Sequence, residues 1–352
     1  MTSRARLSLT SMIAACGLGL ATPAHSAPPE ACSVTPTSPL VVNVKDIGAK
    51  GDGKANDTRA IQNAIDKVTG TGGTVYVPDG VYLVEPHGKN HLQLRSKMTL
   101  KLADRAVIKV LPNASIKYAA LTISQASDVT VVGGTLQGDR AEHKAKKGEW
   151  GMGIWIGPDA DRVTVVGVTA KDMWGDGFYV GGAADVAFCS VVASHNRRQG
   201  LSIVSAKRLL VTGSVFRDTR GTRPSAGIDI EPDRPTETVT DVRIEHSKFI
   251  NNAGGGIMIA GKKGEVADVE ISHNVFEEGR PVLVENAPRV RSTKICNNRH
   301  VAQREQPAEG FNSFAERVEI VALQTDCSEG RDLRFEMKRQ TKKKKKPQKP
   351  AN

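Results

Sequence analysis

A short phrase that returns along the middle of the chain limits what this sequence can fold into. It reads Gly153-Ile-Trp-Ile156, Gly177-Phe-Tyr-Val180, Gly200-Leu-Ser-Ile203, Gly227-Ile-Asp-Ile230 and Gly256-Ile-Met-Ile259, with the glycines 24, 23, 27 and 29 residues apart. Glycine, apolar, variable, apolar is the period-2 alternation of a strand with one buried face. A second series lies between these phrases: Val163-Thr-Val-Val166, Val186-Ala-Phe-Cys189, Leu209-Leu-Val211, Val242-Arg-Ile244 and Val269-Glu-Ile271. Two or three short strands per ~25 residues, closed by Gly, Asn and Asp turns, predict a coiled solenoid of parallel strands.

Composition agrees with a narrow aliphatic core. There are 34 glycines and only 4% aromatic residues in 352. The formal charge of +11 is concentrated at the ends, in Arg4 and Arg6 and in the lysines of 342–349; without them the body is near +3. Charge therefore gives no reason to expect a nucleic-acid partner. Residues 1–26 have the form of a secretory signal: a basic start, an apolar run from Leu7 to Ala21, and the small-x-small site Ala24-His-Ser26. The expected location is periplasmic or secreted. The alternative is a lipid-anchored envelope protein, because Ile13-Ala-Ala-Cys16 resembles a bacterial lipobox. No other apolar run is long enough to span a bilayer. Cys189, inside Val186-Ala-Phe-Cys-Ser-Val-Val192, is expected to be a buried free thiol, leaving Cys32, Cys296 and Cys327 as the candidates for a disulfide.

Taken in order, residues 27–40 are Pro- and Thr-rich and read as a linker. An amphipathic helix follows over Thr58 to Val68, with Ala60, Ile61, Ala64, Ile65 and Val68 on one stripe and Asn56 or Asp57 as its N-cap. Gly72 to Val84 then reads as two strands around Pro78-Asp-Gly80. The stretch Asp46-Ile-Gly-Ala-Lys-Gly-Asp-Gly-Lys-Ala-Asn-Asp-Thr-Arg-Ala-Ile-Gln-Asn-Ala-Ile65, with Gly73-Thr-Val-Tyr-Val-Pro-Asp-Gly80, resembles the N-terminal segment of the pectate lyase superfamily. That group includes the family 28 polygalacturonases and phage tailspike depolymerases. The resemblance implies an all-β fold, a right-handed parallel β-helix of roughly 10 coils over residues 41–330. A short helix would cap its first coil, and a polysaccharide would be its substrate. Two polar stretches, Gly138 to Met152 and Arg217 to Ser225, are expected to be loops standing off one face. The lysine-rich end, residues 331–352, is expected to be disordered.

Aligning the coils on Gly177, Gly200, Gly227 and Gly256 turns Phe178, Val180, Leu201, Ile203 and their equivalents inward. The intervening Tyr179, Ser202, Asp229 and Met258 then form one outer column facing solvent, with coils about 4.8 Å apart. Asp229 and Glu231 lie two residues apart on one strand, with Cα atoms roughly 7 Å apart, a spacing that suits an acid and a base flanking a glycosidic bond. Trp174-Gly-Asp-Gly-Phe-Tyr-Val180 resembles the polygalacturonase strand bearing a catalytic Asp, which falls on Asp176. Arg198-Gln-Gly-Leu-Ser-Ile203 resembles the next strand, with Gln199 in place of the family's His. Arg197 and Arg198 are suited to a uronate carboxylate through bidentate hydrogen bonds. His195, Gln199, Ser202, Trp174 and Trp150 complete the expected substrate-binding set, the tryptophans as sugar-stacking platforms, while Trp155 is expected in the core.

No cofactor is expected. Calcium is the one cation left open, among Asp172, Asp176, Asp229 and Asp233. The expected activity is hydrolysis of an acidic polysaccharide by Asp229 and Glu231, helped by Asp176. One alternative is a polyuronate lyase or C5-epimerase using Tyr179, His195 and Arg198; another is a non-catalytic polysaccharide-binding protein. Oligomeric state is left open.

Overall fold

The computed structural model describes residues 30–35, 37–86, 91–261, 263–285 and 289–301, with the backbone of 319–320. The segment expected as a secretory leader, with Cys16, the lysine-rich end and Cys327 lie outside the described residues. The described chain winds into a parallel β-solenoid of about nine turns. One sheet has 17 strands and carries both series of sequence phrases; the other has ten short strands, and stacks one from each turn. Pairing is parallel throughout except where Val282–Glu285 meets Glu319–Ile320.

The repeated glycine has a steric cause. A Cβ built on Gly153, Gly177, Gly200 or Gly227 would stand 2.4 to 2.7 Å from the carbonyl oxygen of the corresponding glycine one coil further on. That oxygen is backbone and cannot swing aside, so each turn keeps a residue without a side chain at the entry to its strand. Beyond the glycine the alternation runs as the sequence predicts: Phe178, Val180, Leu201, Ile203, Ile228, Ile230, Ile257 and Ile259 are fully buried in one continuous core. Within that core Phe216, Phe249 and Phe276 stack on successive turns at 5.3 and 4.9 Å.

Polar ladders close the turns. Asn196 Oδ1 accepts from Met173 N–H at 3.0 Å and its amide donates to the Ala170 carbonyl at 3.2 Å. Asn252 repeats the arrangement with Thr219 N–H and the Phe216 carbonyl. Asp172, His195, Asp218 and Asn251 end successive second-sheet strands with φ between 51° and 56°, the left-handed region that short polar side chains tolerate best. From these corners the chain enters the loops that lead back to the glycine strands.

The capping helix, Thr58–Val68, buries Ile61, Ala64, Ile65 and Val68 over the first coil. Asp57 occupies the cap position, but its carboxylate accepts from Lys50 N–H (2.7 Å) and Gly51 N–H (2.9 Å), fastening the preceding turn. Asn56 Oδ1 takes the Thr58 N–H at 3.1 Å. Two expectations are corrected. Cys189 is not a free thiol: it is bonded to Cys32, 157 residues away, so part of the segment expected as a linker is fastened to the solenoid. Trp155 is not in the core; it is the second residue after Gly153 and therefore points outward, as Tyr179 does one coil later.

Candidate active site

The strand register lines up one outer column in the order Gln93, Thr122, Trp155, Tyr179, Ser202, Asp229, Met258 and Leu283. The four residues expected to share a ridge do share it. Its middle is covered, however: Ser202 and Asp229 are each only 2% exposed. The loops preceding the Phe178 and Leu201 strands bring in Asp176, Arg198 and Gln199, and these close over the column.

Two linked groups result. Arg198 Nη1 donates to Asp176 Oδ2 (3.1 Å) and to Ser202 Oγ (3.2 Å), and the Ser202 hydroxyl donates to Asp176 Oδ2 (2.9 Å). Burial pushes the Asp176 carboxyl up to about 6, with Arg198 and Ser202 pulling it back, so the ion pair is complete above that pH. For Arg198, burial opposes the charge, but Asp176, Asp229, Glu149 and Glu231 outweigh it and raise its pKa further. Its side chain is 13% exposed, with Glu149 at 3.9 Å from Nε. In the second group Gln199 Oε1 accepts from Ala226 N–H (2.8 Å), which fixes the amide so that Nε2 donates to Asp229 Oδ2 at 2.7 Å. Asp229 Oδ1 is buried with no partner among the described residues. Burial, reinforced by Glu231, raises the Asp229 carboxyl well above the usual range. Burial therefore favours the protonated form of Asp229 over the ionised one, and one of its oxygens is uncommitted. Glu231 follows directly on the strand, half-buried, its N–H bonded to the Ile203 carbonyl at 3.1 Å.

Arg197 and Arg198, expected together as a clamp on an acidic sugar, part company. Arg197 donates to the carbonyls of Gly148 and Trp174 and lies 3.7 Å over the Trp174 ring, so it fastens a loop. His195 turns away from Tyr179 and approaches Asp218 at 3.8 Å. It lines a cleft of about 700 Å³ that shares no lining residue with the column, with Arg140, Asp172 and Arg220. Tyr179 stays half-buried in the column, its phenol pushed up to about 12 by burial and by Asp233 and Asp176. Trp150 is 40% exposed at the start of the Trp150–Ile156 strand, whereas Trp174 is stacked on His143 at 4.2 Å. Among the described residues no three His, Cys, Asp or Glu side chains converge as a metal site would; of the four acids considered for calcium, Asp172 lies in the cleft, Asp176 is held by Arg198, Asp229 by Gln199, and Asp233 is exposed.

A second buried cluster was not anticipated from sequence. The Asp139 carboxylate accepts from Asn113 N–H (3.1 Å), Asn113 Nδ2 (2.9 Å), His143 Nδ1 (2.8 Å) and the Tyr118 hydroxyl. The Asp139 and His143 side chains have no exposure. The cluster pins the 138–150 loop beside the column. Nothing in the loop's own sequence marks it, because the partners sit 4 to 26 residues away with no repeat to relate them.

With a stacked parallel solenoid, a capping helix and an outer column bearing Asp229 in view, the chain has the fold of a right-handed parallel β-helix and is similar over its first coils to pectate lyase-like proteins. The family model described as rhamnogalacturonase A/epimerase, pectate lyase-like, matches residues 41–101, and that for the right-handed β-helix region matches residues 152–280. Among curated proteins it is 27% identical over 305 residues to the uncharacterized protein YclG of Bacillus subtilis, covering 73% of this chain and 52% of that one. It is 33% identical over 204 residues to the mannuronan C5-epimerase AlgE1 of Azotobacter vinelandii, covering 48% of this chain and 14% of the relative. It thus spans about half of YclG and a seventh of AlgE1. A family 28 exopolygalacturonase of Yersinia enterocolitica shares the fold, with a TM-score of 0.58 at 15% identity, over 77% of this chain and 67% of that one. Among the described residues no helix is long and apolar enough to cross a membrane.

Proposed function

We propose that this chain is an exported acid–base enzyme that hydrolyses glycosidic bonds in an acidic polysaccharide lying along the outer column. The observation that carries the reading is Asp229: a buried carboxyl oriented through one oxygen by Gln199 and without a partner at the other among the described residues, in surroundings that favour its protonated form. In the reaction Asp229 Oδ1 gives its proton to the glycosidic oxygen. Glu231, two residues on along the same edge of the column, takes a proton from the attacking water. The Arg198 guanidinium, held in place by Asp176 and Ser202, stands beside these acids and steadies the ionised Asp229 left after proton transfer. Because Oδ1 is sealed from solvent in the free protein, polymer binding must part the covering side chains before the proton can be delivered. Export is supported by the leader-like start of the chain and by the Cys32–Cys189 bond, which suits an oxidising compartment.

The test is release of reducing ends from a panel of acidic polymers. Asp229→Asn, which keeps the hydrogen-bonding shape of the neutral acid and loses its proton, is expected to remove the activity. Full turnover by that variant contradicts the assignment.

A second reading, C5-epimerisation or β-elimination on a polyuronate, is favoured by the likeness to the mannuronan C5-epimerase and by Tyr179, a protonated phenol next to Ser202 in the column. Of the trio Tyr179, His195 and Arg198, His195 lines a separate cleft and Arg198 is held by Asp176. The two readings separate in deuterated water. Epimerisation places deuterium at C5 without shortening the chain, elimination yields ultraviolet-absorbing unsaturated ends, and hydrolysis does neither.

A further inference from the structure

Two coils before Ser202 the column passes a recess of about 230 Å³ with Lys117, Tyr118, Thr122, Met152 and Trp155 in its walls. Its aromatic surfaces are bedded on glycine. A Cβ on Gly157 would stand 2.8 Å from the Trp155 six-membered ring, and one on Gly151 2.5 Å from the Tyr118 ring. The Trp155 ring therefore lies along the outer face, whereas the Tyr118 ring is buried with its hydroxyl on Asp139. Lys117 Nζ stands 5.7 Å from the Trp155 ring centre and is exposed, and no carboxylate among the described residues pairs with it. The arginines nearer the acids are already engaged, Arg197 with backbone carbonyls and Arg198 with Asp176.

We propose that Lys117 and Trp155 form a distal subsite for one acidic sugar residue of the polymer, whose ring stacks on Trp155 and whose carboxylate pairs with Lys117. This rests on the polymer lying along the column, as the proposed function has it. An apolar platform with an unneutralised cation at its rim is complementary to a pyranose carrying a carboxylate, and a neutral sugar would leave the ammonium without a partner. Trp155 lies three coils from Asp229, about 14 Å, roughly the length of three sugar residues. The subsite therefore fixes both register and direction: it anchors an acidic residue a set number of units from the bond at Asp229.

The test uses the full chain carrying Asp229→Asn and titrates it calorimetrically with hexamers of galacturonate and of mannuronate, each beside its carboxyl-reduced neutral counterpart. The expected result is a preference of about tenfold for at least one acidic hexamer. Adding Lys117→Ala is expected to erase that preference, and Lys117→Arg to retain it. Trp155→Ala is expected to weaken acidic and neutral hexamers alike. Failure to bind either acidic hexamer, or a preference that survives Lys117→Ala, overturns the subsite. Binding here does not depend on proton transfer, so the assignment of Asp229 stands or falls separately, on turnover by the single Asp229→Asn variant.

Discussion

At the scale of single residues, the fold produces a proton donor by removing water from one carboxyl. A carboxyl whose pKa rises on folding binds its proton more tightly in the native state. Such a group supports stability below its unfolded pKa, and that support is lost as pH rises toward the folded pKa. Asp229 belongs to this class, its pKa raised by burial first and by Glu231 second. Asparagine has the shape of the neutral acid without its titration. The stability of Asp229→Asn relative to wild type is therefore expected to increase with pH from 4 upward, measured as urea unfolding at pH 4, 6 and 8. A difference that does not change with pH would show that Asp229 is not held neutral. Asp176 has the same sign over a window the structure bounds. Its carboxyl sits at about 6 against an ordinary 3.8, so its own contribution falls as pH rises between those values and is level above them. The ion pair with Arg198 forms as it falls, and any activity that needs that pair is expected to rise through pH 6.

At the scale of elements, the glycine before each outer strand carries the stacking. Gly200→Ala would put a Cβ 2.4 Å from the Gly227 carbonyl oxygen and 2.7 Å from the Phe216 ring. The expected cost is about 2 kcal/mol, the range for overpacking a site that cannot relax, read as a lowered urea midpoint. The loop latch makes a parallel case. Asp139→Ala leaves Tyr118, His143 and Asn113 without their common acceptor. The expected loss is about 3 kcal/mol, with protease cleavage concentrated between residues 138 and 150. The strands were legible in sequence because a solenoid writes the same steric demand every turn: glycine, then alternation. The outer column followed from that register, including the places of Tyr179, Ser202 and Asp229. Trp155 was legible by the same rule, as the second residue after Gly153, although it was expected inside. What the register cannot supply is the cover. Arg198, Gln199 and Asp139 act from loops of unequal length, and their partners are chosen by where each loop returns. Exposure of the column was therefore overestimated, and the contacts of His195 with the cleft and of Arg197 with Trp174 could not be read from the register.

At the scale of the molecule, each coil supports only its neighbours, so fastening distant segments has a global effect. Cys32 and Cys189 close a span of 157 residues across the N-terminal coils. Cys32→Ser with Cys189→Ser is expected to reduce stability by about 2–4 kcal/mol under oxidising conditions and to leave no difference in the presence of a thiol reductant. The same architecture lets loops from separate turns meet over one strip of parallel sheet, so that an acid buried in one coil is oriented by a glutamine from the coil before it. The account is tested most directly by reducing-end release from acidic polysaccharides by wild type and Asp229→Asn side by side, at pH 5 to 8. It predicts release by wild type from at least one polymer and none above background by the variant, with both proteins equally folded. Equal release by the two, or chains left intact by wild type while C5 exchanges with solvent, would contradict it.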